Sequence, residues 1–309
     1  MNIAERFGVS PPSPVVTSKM INAARKSVTL LVEAGFDQRF WRMHTHESCR
    51  VSHVGQGGRE AVLHQLDEAR THPDAHLLGV LDADLDRMEA RLVLRADVVW
   101  TDAHDLETTL LGLPVLERLA HQRVGADVLA QMERAWGETL RVRLFGHALG
   151  LGRLRWLKQR QQDLEDLRFK KQGKGSRKGE LLHFDAYGDC AGKDWRPDLD
   201  QAIAAVLAYS NANHLRPPRR DLQQEARGLP DAPVAQICNG HDLMGFLHDW
   251  LASHGSPKFS DTADLAEAVA LACERGWVET TEMWQALRAW EQEHPGYPVL
   301  VATPAPQGR

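Results

Sequence analysis

The chain has 309 residues, 43% hydrophobic and 26% charged, with 37 Lys and Arg against 42 Asp and Glu for a formal net charge of −5. That length allows about two domains with full cores, and the mild acidity excludes a globally basic, polyanion-coated protein. Cys49, Cys190, Cys238 and Cys273 form no CxxC pair, against a zinc ribbon or disulfide framework; no stretch nears the ~18 apolar residues of a membrane span, and Met1–Arg6 lacks a signal-peptide core, so a cytoplasmic protein without a membrane partner is expected.

Residues 1–17 are rich in Pro and Ser and predict a loop or arm, followed by a short helix over 18–27. Residues 28–33 predict a buried strand, because a short apolar run with β-branched members suits a parallel sheet. Phe36, Phe40 and Met43 predict a helix. A weaker strand follows at 50–54, then a Gly55–Gly58 loop and a helix over 59–70 carrying Val62, Leu63 and Leu66. The loop lacks the Lys-Ser/Thr of a phosphate-binding P-loop and reads as a turn. Strands are predicted at 76–82 and 97–101, and a helix at 106–119 that Pro114 should kink or split. Beyond it the chain reads as helical: 125–167, 198–210, 242–254, 261–274 and 279–292.

Strand and helix alternate through the first half, the pattern of a mainly parallel α/β sheet flanked by helices. The expected organisation is therefore a catalytic α/β domain over residues 1–124 and a mainly helical region over 125–309. Residues 151–180 carry a local charge of +6. Within them the Gly-, Lys- and Ser-rich stretch 168–178 reads as a basic loop, and Lys170, Lys171, Lys174, Arg177 and Lys178 are its candidate nucleic-acid contacts. Lys and Arg neutralise phosphates and release counterions whatever the base sequence. Arg216-Pro217-Pro218-Arg219-Arg220 reads as a stiff linker.

The acidic strand ends carry the chemistry. Glu33 ends the first strand and Asp82-Ala83-Asp84-Leu85-Asp86 follows the third. In an open parallel sheet both would meet at the carboxyl edge, where ligands bind. Gathered carboxylates suit a hard divalent cation, Mg²⁺ or Mn²⁺, completed by water and substrate phosphate. Glu33, Asp82, Asp84 and Asp86 are the candidate metal ligands, with Glu33, Asp82 and Asp84 as the catalytic set; a glutamate left off the ion can move a proton. Asp102-Ala103-His104-Asp105-Leu106-Glu107 follows the fourth strand at the same edge. His104, Asp105 and Glu107 are assisting candidates, although Asp105 and Glu107 equally suit a helix N-terminus. His44, His46 and His53 are too weakly patterned to argue for zinc.

These residues resemble a known pattern. Leu31-Val32-Glu33, the helix near Asp37 and Asp82-Ala83-Asp84 resemble the TOPRIM domain of primases, topoisomerases and overcoming-lysogenization-defect nucleases. More narrowly, Val32-Glu33…Asp37…Phe40, Gly79-Val80-Leu81-Asp82-Ala83-Asp84 and His104-Asp105-Leu106-Glu107 resemble a bacterial TOPRIM-like family that includes the nuclease subunit of PARIS-type anti-phage systems. Asn239-Gly240-His241-Asp242-Leu243 is a candidate later element. The resemblance covers residues 28–120. It implies Glu33 as acid/base, Asp82 and Asp84 as metal ligands, nucleic acid as substrate and an ABC-type ATPase as partner. One departure stands out: the glutamate is commonly followed by glycine, and Ala34 here puts the Glu33 turn in question. Two alternatives stay open: a non-catalytic or partner-activated TOPRIM subunit of an ATPase complex, and a haloacid-dehalogenase-like phosphatase with Asp82 as nucleophile. DNA against RNA, and a homo-oligomer against a monomer, are also open.

Overall fold

The computed structural model describes residues 13–22, 26–55, 57–72, 74–161, 164, 195–209, 221–254 and 259–302. The basic stretch 168–178 and the linker 216–220 lie outside the described residues. Within them the chain runs α1 (Pro14–Asn22), β1 (Val28–Val32), α2 (Gly35–His44), β2 (Cys49–His53), α3 (Gly58–Arg70), β3 (Leu77–Leu81), β4 (Val98–Trp100), α4 (Leu106–Leu111), α5 (Val115–Val124), α6 (Ala126–Trp136) and α7 (Leu140–Arg160). It continues through α8 (Leu199–Tyr209), α9 (Leu222–Arg227), α10 (Val234–Ile237), α11 (Gly240–Ser253), α12 (Thr262–Ala272), α13 (Arg275–Val278) and α14 (Glu282–Glu293).

The four strands form one parallel sheet in the order β2-β1-β3-β4, the expected α/β class. By internal contacts the chain divides into a sheet unit (Met1–Asp82, Val93–Thr101, Glu279–Arg309) and a helical unit (Ala83–Leu92, Asp102–Val278). This differs from a division at residue 124. The chain leaves the sheet after β3, returns for β4, leaves again, and comes back with α14, so neither unit is one continuous stretch.

In the sheet unit, β1 and β3 are buried along their whole length, as central parallel strands covered on both faces must be. Leu31, Leu77 and Leu81 pack with Val15 of α1 and Val62 and Leu66 of α3 in one core cluster. Leu30, Val32, Leu78 and Val80 alternate with these and are also buried, as period-two geometry requires. The α2 helix packs on β1 and β2, and α14 on β4. Fully burying one such Leu or Val contributes about 1.5–3 kcal/mol, so this cluster is the main force holding the strand ends in place. His44 is an aromatic neighbour of Phe40 and Trp284. The His46 ring nitrogen pairs with Ser48 and that of His53 with Gln38. These are local structural contacts for the three histidines.

In the helical unit, α7 is the centre. It is 21 residues long and buries Leu144, Ala148, Leu151, Leu154 and Leu157, among others, with α8, α9, α10 and α11 packed around it. Beside it lies an aromatic cluster of His147, Trp195, Phe246 and Trp250.

Several boundaries differ from the sequence expectation. The first helix starts at Pro14, not residue 18. Proline at a first helical position sacrifices no hydrogen bond, and the Ser13 hydroxyl accepts from the Val16 N–H. Pro114 does divide the predicted 106–119 helix: α4 ends at Leu111 and α5 begins at Val115. The short helices α9, α10 and α13 were not expected. A four- to six-residue helix is too short to display a 3.6-residue period.

Candidate active site

The sheet unit brings two predicted residues together. Because β1 and β3 are parallel neighbours with Val32 opposite Val80, their ends lie side by side. The Asp82 backbone N–H donates to Glu33 Oε1 at 2.9 Å. Arg59, in the first turn of α3, donates from Nη2 to the Asp82 carbonyl at 2.8 Å. Its Nε lies 3.9 Å from Glu33 Oε1, and its guanidinium sits over the Trp100 ring. Glu33 is therefore held by a backbone donor and a cation, with 14% of its side chain exposed.

Glycine allows this approach. Gly57 and Gly58 have φ of +118° and +50°, the left-handed region that glycine adopts without steric cost. A Cβ on Gly58 would lie 3.4 Å from Glu33 Oε2. The glutamate thus lies beside the N-terminus of α3, where a helix dipole favours negative charge. Ala34 has φ −130° and ψ 165°. Extended backbone of this kind needs no glycine, and the Ala34 N–H donates to Asp37 Oδ2 at 3.0 Å, which opens α2.

The helical unit holds the second group. Asp84 has φ +46°, uncommon for a side chain other than glycine, and such backbones recur at functional sites. Its N–H donates to the His104 carbonyl at 2.6 Å. Its side chain is 47% exposed, with Oδ1 3.6 Å from His104 Nδ1. Asp105 is buried and N-caps α4: Oδ1 accepts from the Thr108 N–H at 2.8 Å, while Oδ2 accepts from the Gly240 N–H at 2.6 Å and lies 3.2 Å from His104 Nδ1. Burial alone would raise the Asp105 carboxyl, but the His104 hydrogen bond and charge, with the N–H donors, hold it below the usual carboxylate range. Burial alone would lower His104, yet the hydrogen bond and charge of Asp105, and then the Asp84 charge, raise it above an ordinary imidazole. Asp105 therefore organises the loop from a buried position. Glu107 is buried too, and its Cβ lies against Gly240. Asp86 accepts from Gln159 Nε2 at 3.1 Å, so it faces α7.

Sequence reasoning missed two cations and their partners. Arg59 has no motif of its own. Arg155 pairs twice with Asp242, Nε to Oδ2 at 3.0 Å and Nη2 to Oδ1 at 2.8 Å, and Asp242 is wholly buried. The only signal was Asn239-Gly240-His241-Asp242-Leu243. Gly240 in that run touches the Asp105 loop directly: a Cβ there would lie 2.3 Å from Asp105 Oδ1 and 2.5 Å from Glu107 Cβ. Replacing Gly240 with alanine is expected to destabilise the protein by about 1–3 kcal/mol, the usual range for overpacking a tight site. A urea titration checks this; an unchanged midpoint would mean that the loop has another place to go.

The donor chemistry suits a hard cation. Glu33 brings a carboxylate to the sheet edge beside the Asp82 backbone, and Mg²⁺ needs only one or two carboxylates besides water and phosphate. Among the described residues no group of three or more His, Cys, Asp and Glu side chains gathers as a metal cage. Together these features define a parallel α/β protein with an acidic sheet edge. No family model, curated protein or solved structure matches the chain. Among the described residues no helix is long and apolar enough to cross a membrane.

Proposed function

We propose that the chain is a Mg²⁺- or Mn²⁺-dependent TOPRIM-type nuclease that cleaves nucleic-acid phosphodiesters, acting as an anti-phage effector beside an ABC-type ATPase. The observation that carries the reading is the hydrogen bond from the Asp82 N–H to Glu33, which joins the two acidic strand ends at the edge where open α/β sheets bind ligands. Asp82 and Asp84, two apart in sequence, would hold the cation. When bound, it would neutralise charge building on the phosphodiester oxygens.

The protein's own residues supply the rest. Glu33 moves a proton to or from the attacking or leaving oxygen through its carboxylate. Arg59 bridges Glu33 and the Asp82 carbonyl and keeps the glutamate aimed along the edge. Asp84 has a positive φ, and its carboxylate is 47% exposed. Lys170, Lys171, Lys174, Arg177 and Lys178, outside the described residues, would hold the phosphate backbone.

The test uses purified full-length chain with Mg²⁺ or Mn²⁺ on end-labelled single- and double-stranded DNA and RNA. Glu33→Gln and Asp82→Asn should each lower cleavage at least about a hundredfold, the scale of a lost proton-transfer or charge-stabilising group, with unchanged unfolding midpoints. Variants that cut as fast as the parent would sink these roles. Phosphate trapped on Asp82 would move the reading to a phosphatase.

A further inference from the structure

Asp84 stands in the left-handed region, with φ +46°, which side chains other than glycine rarely adopt. Such a backbone persists only where its surroundings hold it. In the helical unit His104 holds Asp84 at two points. The His104 carbonyl accepts from the Asp84 N–H at 2.6 Å. The His104 ring lies beside the Asp84 carboxylate, with Nδ1 3.6 Å from Oδ1. The same nitrogen is 3.2 Å from Asp105 Oδ2. An ionised carboxylate only accepts, so Nδ1 carries a proton, and its N–H is set between two carboxylates.

His104 is itself held in place. It is buried, and the loop that carries it is tied to a segment some 130 positions further along the chain. The His104 N–H donates to the Ala235 carbonyl at 3.0 Å, Thr108 Oγ1 donates to the Cys238 carbonyl at 3.1 Å, and the Gly240 N–H donates to Asp105 Oδ2 at 2.6 Å. Residues 235–240 thus fix the loop, Asp105 fixes the imidazole, and the imidazole faces Asp84. The Asp84 side chain keeps 47% of its surface in solvent, so the carboxylate stays accessible to an ion while a buried residue holds it. Carboxylates that ligate metals are commonly held this way by partners one step behind them, and losing such a partner typically costs about 10–100-fold in metal affinity.

We propose that His104 is a positioning residue: through its carbonyl and its Nδ1–H it pre-sets the Asp84 carboxylate for a divalent cation. It acts through Asp84 and not on the substrate. The role of the cation rests on the nuclease reading; the hold on Asp84 does not. A histidine that only filled the loop would affect folding and leave metal affinity alone.

The test is Mn²⁺ uptake by the purified full chain without nucleic acid, read as loss of the electron paramagnetic resonance signal of free Mn²⁺, with urea midpoints measured alongside. Three substitutions separate the donor from the bulk. His104→Asn keeps an amide nitrogen two bonds beyond Cβ, where Nδ1 stands; His104→Gln carries it one bond too far; His104→Leu removes it. The Leu and Gln variants should take up Mn²⁺ about tenfold or more weakly, and the Asn variant should restore the parent's uptake. Asp84→Asn should also weaken uptake, and adding His104→Leu to it should cost little more, as expected of two residues acting as a unit. If the Leu variant does not fold, the comparison of Gln with Asn decides, and His104→Gln takes its place in the double variant. Parent-like uptake by the folded Leu and Gln variants, with Glu33-dependent cleavage intact, would overturn the positioning role and leave the nuclease reading standing. An equal loss in the Asn variant would overturn the part given to the Nδ1 donor, and additive losses in the double variant would overturn the route through Asp84. A parent chain that takes up no Mn²⁺ would overturn both readings.

Discussion

Replacing Arg155 with methionine is expected to cost about 3–5 kcal/mol of folding stability. Asp242 is wholly buried, and Arg155 makes two hydrogen bonds to its carboxylate at 2.8 and 3.0 Å. Removing the cation takes two charge-assisted hydrogen bonds from a wholly buried carboxylate, which is far costlier than losing an exposed ion pair. The same physics predicts recovery: Arg155→Met combined with Asp242→Leu should regain most of the loss, because an apolar pair of similar volume carries no desolvation penalty. Urea denaturation of the parent, both single variants and the double variant measures this as a thermodynamic cycle. Additive losses would mean that the two side chains stabilise the fold independently. The pair ties α7 to α11 just beyond Gly240, so the single variants should also loosen the Asp105 loop.

Acid should destabilise the helical unit through His147. Its ring is 2% exposed, stacks near Phe246 and Trp195, and makes one hydrogen bond, from Nε2 to the Trp195 carbonyl at 3.0 Å. Burial pushes its pKa down to about 4 from 6.5; the Trp195 carbonyl offsets part of this, and the Arg143 charge adds to it. Between those values the unfolded chain takes up a proton that the folded protein refuses. Stability therefore falls as the pH drops from about 6.5 to about 4, by roughly 3 kcal/mol in all at about 1.4 kcal/mol per unit. His104 has the opposite sign. Its raised pKa gives stability that is full below the ordinary histidine value and lost as pH rises through the folded one. Comparing the parent with His147→Phe separates the two. The variant should lose about 0.5–1.5 kcal/mol near neutral pH with the Trp195 hydrogen bond, and lose much less than the parent on acidification to pH 4. Parallel stability curves would rule out His147 as the acid-sensitive group.

Much of the α/β half was legible because its signals are local. The apolar run Val28–Val32 and the run ending at Leu81 announce strands by length and composition, and both are buried throughout. Phe40, Val62 and Leu66 sit at helical spacing and form core. Pro114 cannot donate a backbone N–H, and the helix breaks there. The short helices α9, α10 and α13 were illegible because their order comes from packing, and they span too few residues to show a period.

The site was legible in part for the same reason. Glu33 and Asp82 end adjacent strands, so their meeting follows from strand order once the sheet is parallel. Asp105 was ambiguous between helix cap and site residue. It proves to be a cap with two further partners, His104 and Gly240, the latter 135 positions away.

Residue types and their spacing along the chain determined the class of fold, the acidic strand ends and the turn that follows them. Only the tertiary structure decided which charges are neutralised: Arg59 against Glu33 and Arg155 against Asp242. The physical reason is distance along the chain. A strand or helix is encoded by neighbours within a few residues, whereas a buried charge is matched by whichever side chain packing delivers, and packing is settled by the whole core.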